Sequence, residues 1–151
     1  MDAKRFLTGT IVGGIVLYVV GYLIFNVAFA SFYAANVGSA TGVDRSSELT
    51  WAVVLGNLAY AALVMVVLGN RGESLSIGAG IKVGAIVGFL IWATADFTIY
   101  GLTNIANLTR TIVDPLLEIV HGGIGGLIIG IVLTRMPVAR ASRSALSASA
   151  R

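Results

Sequence analysis

The 151-residue chain has no cysteine, one histidine and two prolines, and only 11% of its residues are charged. Without cysteine there can be no disulfide scaffold, no thiolate-held zinc or iron–sulfur site and no thiol redox chemistry, quinone-coupled thiol oxidation included. One histidine and three methionines are a poor set for axial haem ligation. The shortage of charge accompanies 57% hydrophobic residues and a mean hydropathy of +0.92. Soluble domains carry about 25% charged residues. One water-soluble core could not hide this much apolar surface, so the composition predicts an integral membrane protein. The formal charge of +3 then concerns topology and the bilayer surface, and nucleic acid is not an expected partner.

What the chain does have is long apolar runs. Four segments, at about 6–32, 49–68, 77–100 and 115–134, each approach the roughly 20 residues needed to cross a bilayer. Short polar connections between them predict an all-α fold, a four-helix membrane bundle with sequential antiparallel neighbours. The alternating segments of roughly 10 residues that a transmembrane barrel requires are missing. The first segment follows the basic start Met1–Arg5, but its run exceeds the roughly 7–15 residues of a signal-peptide core, so it reads as a retained helix. Residues 1–136 form the expected membrane domain. Residues 137–151 are expected to be a mobile basic tail with its arginines near anionic headgroups.

Basic residues predict the orientation. With the N-terminus inside, Lys4, Arg5, Arg71, Lys82, Arg135, Arg140, Arg143 and Arg151 all lie on the cytoplasmic side. Only Arg45 and Arg110 lie outside. Positively charged loops stay cytoplasmic, so both termini are expected there.

The 19 glycines are ordered. Gly80, Gly84 and Gly88 fall on one face of the third segment, and Gly122, Gly126 and Gly130 on one face of the fourth. Gly9 and Gly13 add a shorter line on the first. Such small-xxx-small lines let helix backbones approach closely in lipid. Packing within one bundle is the first expectation; a homodimer seam or a contact with a larger membrane complex is the second.

Polar residues concentrate in the half that this orientation makes outer. Asp114, Glu118 and His121 are spaced i, i+4, i+7 and share one helix face. The third segment adds Asp96, Thr98 and Tyr100, with Asn104 just beyond it. Tyr18, Tyr22 and Asn26 form a line on the first, and Trp51, Asn57 and Tyr60 lie on the second. Several have structural readings. Asp114-Pro115 has the form of a helix start, with Asp as cap and proline at the first helical position, and Arg110 is placed to pair with Asp114. Tyr33, Trp51 and Tyr100 fit an interfacial aromatic belt, and Asn26 and Asn57 fit interhelical hydrogen bonding. Asp96, Glu118 and His121 are harder to explain that way, because ionisable groups at membrane depth are costly and usually face a cavity.

Asp96, Glu118 and His121 together are therefore the candidate ligand, proton or metal site, with Asn57, Tyr22, Asn26, Thr98, Tyr100 and Asn104 as further lining. Imidazole and carboxylate near each other can exchange protons or hold a divalent cation. The Glu-x-x-His pattern of carboxylate-bridged di-iron bundles needs two copies, and this chain has one. No nucleotide-binding loop, nucleophile elbow or His-Glu-x-x-His zinc signature occurs, so no cofactor is named. The first functional expectation is a pocket for a small polar ligand or cation, with proton-coupled transport as one form of it. The alternatives are an accessory subunit of a larger membrane complex and, third, a membrane enzyme using Glu118 and His121 as acid and base.

Asp96-Phe97-Thr98-Ile99-Tyr100-Gly101-Leu102-Thr103-Asn104 is followed by Thr111-Ile112-Val113-Asp114. Together with Arg5-Phe6-Leu7-Thr8-Gly9-Thr10 and Ser39-Ala40-Thr41-Gly42, these stretches resemble a group of small bacterial four-helix membrane proteins of the domain-of-unknown-function type. The resemblance runs from about Phe6 to Gly130. It implies a bacterial inner-membrane location and four helices, and it maps Asp-x-Thr and Thr-Asn elements onto Asp96, Thr98, Thr103 and Asn104. It implies no activity, and Glu118 and His121 lie outside its pattern.

Overall fold

The computed structural model describes residues 2–69 and 76–136. The predicted basic tail, and Arg71, Arg140, Arg143 and Arg151 of the orientation argument, lie outside the described residues. The elements are α1 (Ala3–Gly21), a π-helical segment (Tyr22–Ala28), α2 (Ala30–Ala35), α3 (Thr50–Gly69), α4 (Ile77–Leu102) and α5 (Leu108–Arg135). Among the described residues, four helices are long and apolar enough to cross a membrane: Ala3–Ala28, Thr50–Gly69, Ile77–Leu102 and Leu108–Arg135.

Side chains that accept from orphan backbone N–H groups fix several helix starts. The Asp2 carboxylate accepts from Arg5 N at 2.9 Å, Ser76 Oγ from Ala79 N at 3.1 Å, and Asn107 Oδ1 from Arg110 N at 3.0 Å. The last of these corrects the expected start at Asp114-Pro115. Asn107 caps α5 seven residues earlier, and Asp114 and Pro115 lie inside the helix. Proline has no N–H, so the Thr111 carbonyl loses its usual partner there, and the rest of α5 tolerates the defect.

The first apolar run also differs from one continuous helix. After Gly21 the bonding widens to i→i+5, and it closes with Phe29 N donating to Ile24 O at 2.8 Å. Such turns are rare and often mark functional sites.

Glycine decides how α4 and α5 pack. A Cβ on Gly84 would strike the Gly122 carbonyl and lie 3.0 Å from Gly126 Cα, and one on Gly126 would strike the Gly80 carbonyl. Backbone therefore lies on backbone along the seam, and both glycine lines are filled within the chain. On the other side, Gly9 faces Met65, Gly13 faces Ile129 and Ala61, and Gly125 faces Leu17. Large apolar side chains of α1, α3 and α5 seat in those notches to form the core around Leu17, Ala61, Met65, Ile129 and Leu133.

At the opposite end from the chain's N-terminus, the loop 36–49 is tied to the connection between α4 and α5. Gly38 N donates to Ile105 O at 2.9 Å, Ala40 N to Asn104 O at 3.0 Å, and Asn107 Nδ2 to Asn36 Oδ1 at 3.1 Å. Any side chain on Gly38 would collide with the Asn104 carbonyl. This clasp ties the loop to the α4–α5 connection at one end of the bundle.

Candidate functional site

The i, i+4, i+7 face of α5 is buried along its whole length: Asp114 is 8% exposed, Glu118 1% and His121 4%. Glu118 Oε2 and His121 Nδ1 are 2.9 Å apart, and His121 Nε2 lies 2.8 Å from the Leu17 carbonyl of α1. A carbonyl only accepts, so Nε2 carries a hydrogen. Nδ1 and the Glu118 carboxyl must then hold one further proton between them. Either imidazolium faces carboxylate, or neutral imidazole accepts from carboxylic acid. In both cases the pair is neutral overall and stores one exchangeable proton.

The surroundings hold this ring in place. Phe25 and Tyr60 meet it edge-on, with centroids 5.6 and 5.9 Å away. Gly21 provides the space, since a Cβ there would come within 3.2 Å of both Cε1 and Nε2 of the imidazole. Gly21 is also the last α-helical residue before the π segment. The change of helix type therefore falls where His121 docks. Tyr60 Oη is buried in the notch left by Gly88 and Gly122, with no hydrogen-bond partner among the described residues.

One turn away, the Tyr33 hydroxyl donates to Asp114 Oδ1, and the Arg110 guanidinium lies over the Tyr33 ring at 4.9 Å. Burial first, and then the bond to Asp114, push the Tyr33 phenol above its ordinary range, so its hydroxyl remains a donor. One expectation is corrected here. Arg110 stacks on Tyr33 instead of pairing with Asp114, and half-buried Tyr33 takes the carboxylate in its place. The Asp96 carboxyl lies near Asp114, with Oδ2 buried and without a donor among the described residues.

Glu118, His121 and Asp114 form one wall of a cavity of about 970 Å³. It lies among α1, the π segment, α3 and α5, with Asp44 and Glu48 of the 36–49 loop at its rim and Trp92 of α4 at its side. Of the expected lining, Tyr22, Asn26 and Asn57 are present. Asn57 bonds back to the Val53 carbonyl at 2.9 Å and makes no interhelical bond through that amide. Thr98, Tyr100 and Asn104 are exposed and stand apart from the cavity. Asp96 meets Asp114 but does not reach the Glu118–His121 pair, and among the described residues no three His, Asp or Glu side chains gather closely enough to hold a metal ion.

Sequence spacing pointed to Glu118, His121 and the tyrosine line. It gave no signal for Gly21, Phe25 or the Leu17 carbonyl, because a backbone acceptor has no residue type to read. No known protein family, curated protein or solved structure matches the chain.

Proposed function

We propose that the chain is a multi-pass inner-membrane protein, both termini cytoplasmic, whose outer-half cavity binds a small polar ligand or cation. Proton exchange at Glu118–His121 is coupled to that binding. The observation that carries this reading is the pair itself. It is buried in the wall of a cavity large enough for a drug-sized molecule and it stores one exchangeable proton. A purely structural pair gains little over well-packed apolar side chains and would not need the cavity beside it. Adding or removing that proton changes the wall by a full charge, which links occupancy to pH.

The positive-inside count supports the orientation, which turns Asp44 and Glu48 towards the outer face. The accessory-subunit reading loses support, because the α4 and α5 glycines that suggested a partner seam pack within the chain.

The test is native mass spectrometry on the full chain released gently from its own membranes. Gly56 lines the cavity, and a Cβ there meets nothing within 4 Å, so Gly56→Phe fills the space without disturbing the bundle. The expected result is a discrete small mass increment on the wild type and none on Gly56→Phe, with unchanged thermal unfolding. A bare wild-type chain, or the same increment on both, contradicts the proposal.

A further inference from the structure

The charges and rings that line the cavity narrow the ligand class. Its lining carboxylates are Asp44, Glu48, Asp114 and Glu118, and its cationic groups are Arg110 and His121. Glu118 and His121 cancel each other, since the bond of Nε2 to the Leu17 carbonyl leaves one further proton between them. Arg110 offsets one of the remaining three carboxylates, which leaves a surplus of two negative charges.

Aromatic side chains are prominent in the rest, with Tyr18, Tyr22, Phe25, Tyr60 and Trp92 all lining the space. Acidic groups around an aromatic wall attract cations by two routes, direct charge and ring quadrupole, and the second strengthens when water is excluded. A bare divalent ion is a poor fit, since calcium and magnesium demand about six or more oxygen ligands within roughly 2.0–2.6 Å. No three acidic or imidazole side chains among the described residues are gathered closely enough to hold a metal ion, and the volume of about 970 Å³ far exceeds what one ion needs.

We propose that the cavity takes an organic cation, an ammonium group on an apolar body. The body packs against the rings and the ammonium turns towards Asp114 and the rim carboxylates. This rests on the reading of the cavity as a ligand site and adds the sign of charge and the chemical class.

Three probes of one shape test it: benzyltrimethylammonium, neutral neopentylbenzene and anionic phenylmethanesulfonate. The chain has two tryptophans. Replacing the exposed Trp51 (Trp51→Phe) leaves Trp92, in the cavity wall, as the sole indole reporter. Each probe is titrated into the full chain in micelles, with Gly56→Phe in the same background correcting for partition into detergent. The expected result is a saturable signal from the ammonium at least about tenfold tighter than from the neutral isostere, and none from the sulfonate. Asp114→Asn is expected to weaken the ammonium several-fold and leave the neutral probe unchanged. If the neutral probe binds as well as the ammonium, or the sulfonate binds better, the charge assignment fails while the ligand-site reading stands. If no probe gives a saturable signal, both fail.

Discussion

His121 is the only imidazole in the chain, so a sample labelled with ¹⁵N-histidine reports on one residue without assignment. The Leu17 carbonyl fixes Nε2 as protonated. The expected spectrum keeps that nitrogen protonated across the neutral pH range, with any change confined to Nδ1. The same geometry separates two substitutions of Glu118. Glu118→Gln leaves an amide able to donate to Nδ1, so the fold is expected to hold while proton exchange and ligand binding are lost. Glu118→Leu leaves Nδ1 buried and unpaired, at a cost of about 1–3 kcal/mol. Thermal unfolding in detergent compares the two variants. Equal stability would show that the pair is not the contact described. The i, i+3 contact itself was legible in the sequence, because helical spacing fixes it. The partners of Asp114 were not. Arg110 is four residues from Asp114 and invited an ion pair, whereas a tyrosine from α2 takes one carboxylate oxygen and the guanidinium lies over that tyrosine's ring.

Among the elements, the α4–α5 seam is the clearest case of sequence dictating structure. The two glycine lines were visible as repeats of four, and they pack on each other at backbone contact. Gly126→Ala places a methyl against the Gly80 carbonyl and 3.0 Å from Gly84 Cα. Overpacking of that kind costs about 1–3 kcal/mol. Gly78 and Gly101 lie on the same α4 helix, where an added methyl would meet nothing within 4 Å. There alanine is expected to be neutral or stabilising by up to about 1 kcal/mol, since it favours the helix over glycine. Comparing melting temperatures of the three variants tests whether the seam is internal; equal losses at all three would contradict it. Two element boundaries escaped the sequence for local reasons. Asp114-Pro115 has the form of a helix start, but Asn107 offers an earlier cap and α5 runs through the proline. The π segment has no composition of its own, and it departs from α geometry where His121 docks on the first apolar run.

For the whole molecule, four apolar runs were enough to foretell four long helices, because run length against bilayer thickness is a strong constraint. The cavity was only half legible. Polar residues at one depth suggested it, yet its shape depends on the π segment and on Gly21, Gly56 and the clasped 36–49 loop, none of which has a periodic signature. The natural absence of cysteine makes the cavity directly testable by single-cysteine labelling in intact cells. Gly56→Cys places a thiol in the cavity, and the neighbouring Leu55→Cys places one on an exposed apolar position of the same helix. With a membrane-impermeant cationic thiosulfonate added outside, Gly56→Cys is expected to react and Leu55→Cys to remain inert, and an anionic reagent of similar size to react more slowly at Gly56→Cys. An inert Gly56→Cys, or one that reacts only from the cytoplasmic side, would contradict an outward-facing, water-accessible, cation-attracting pocket.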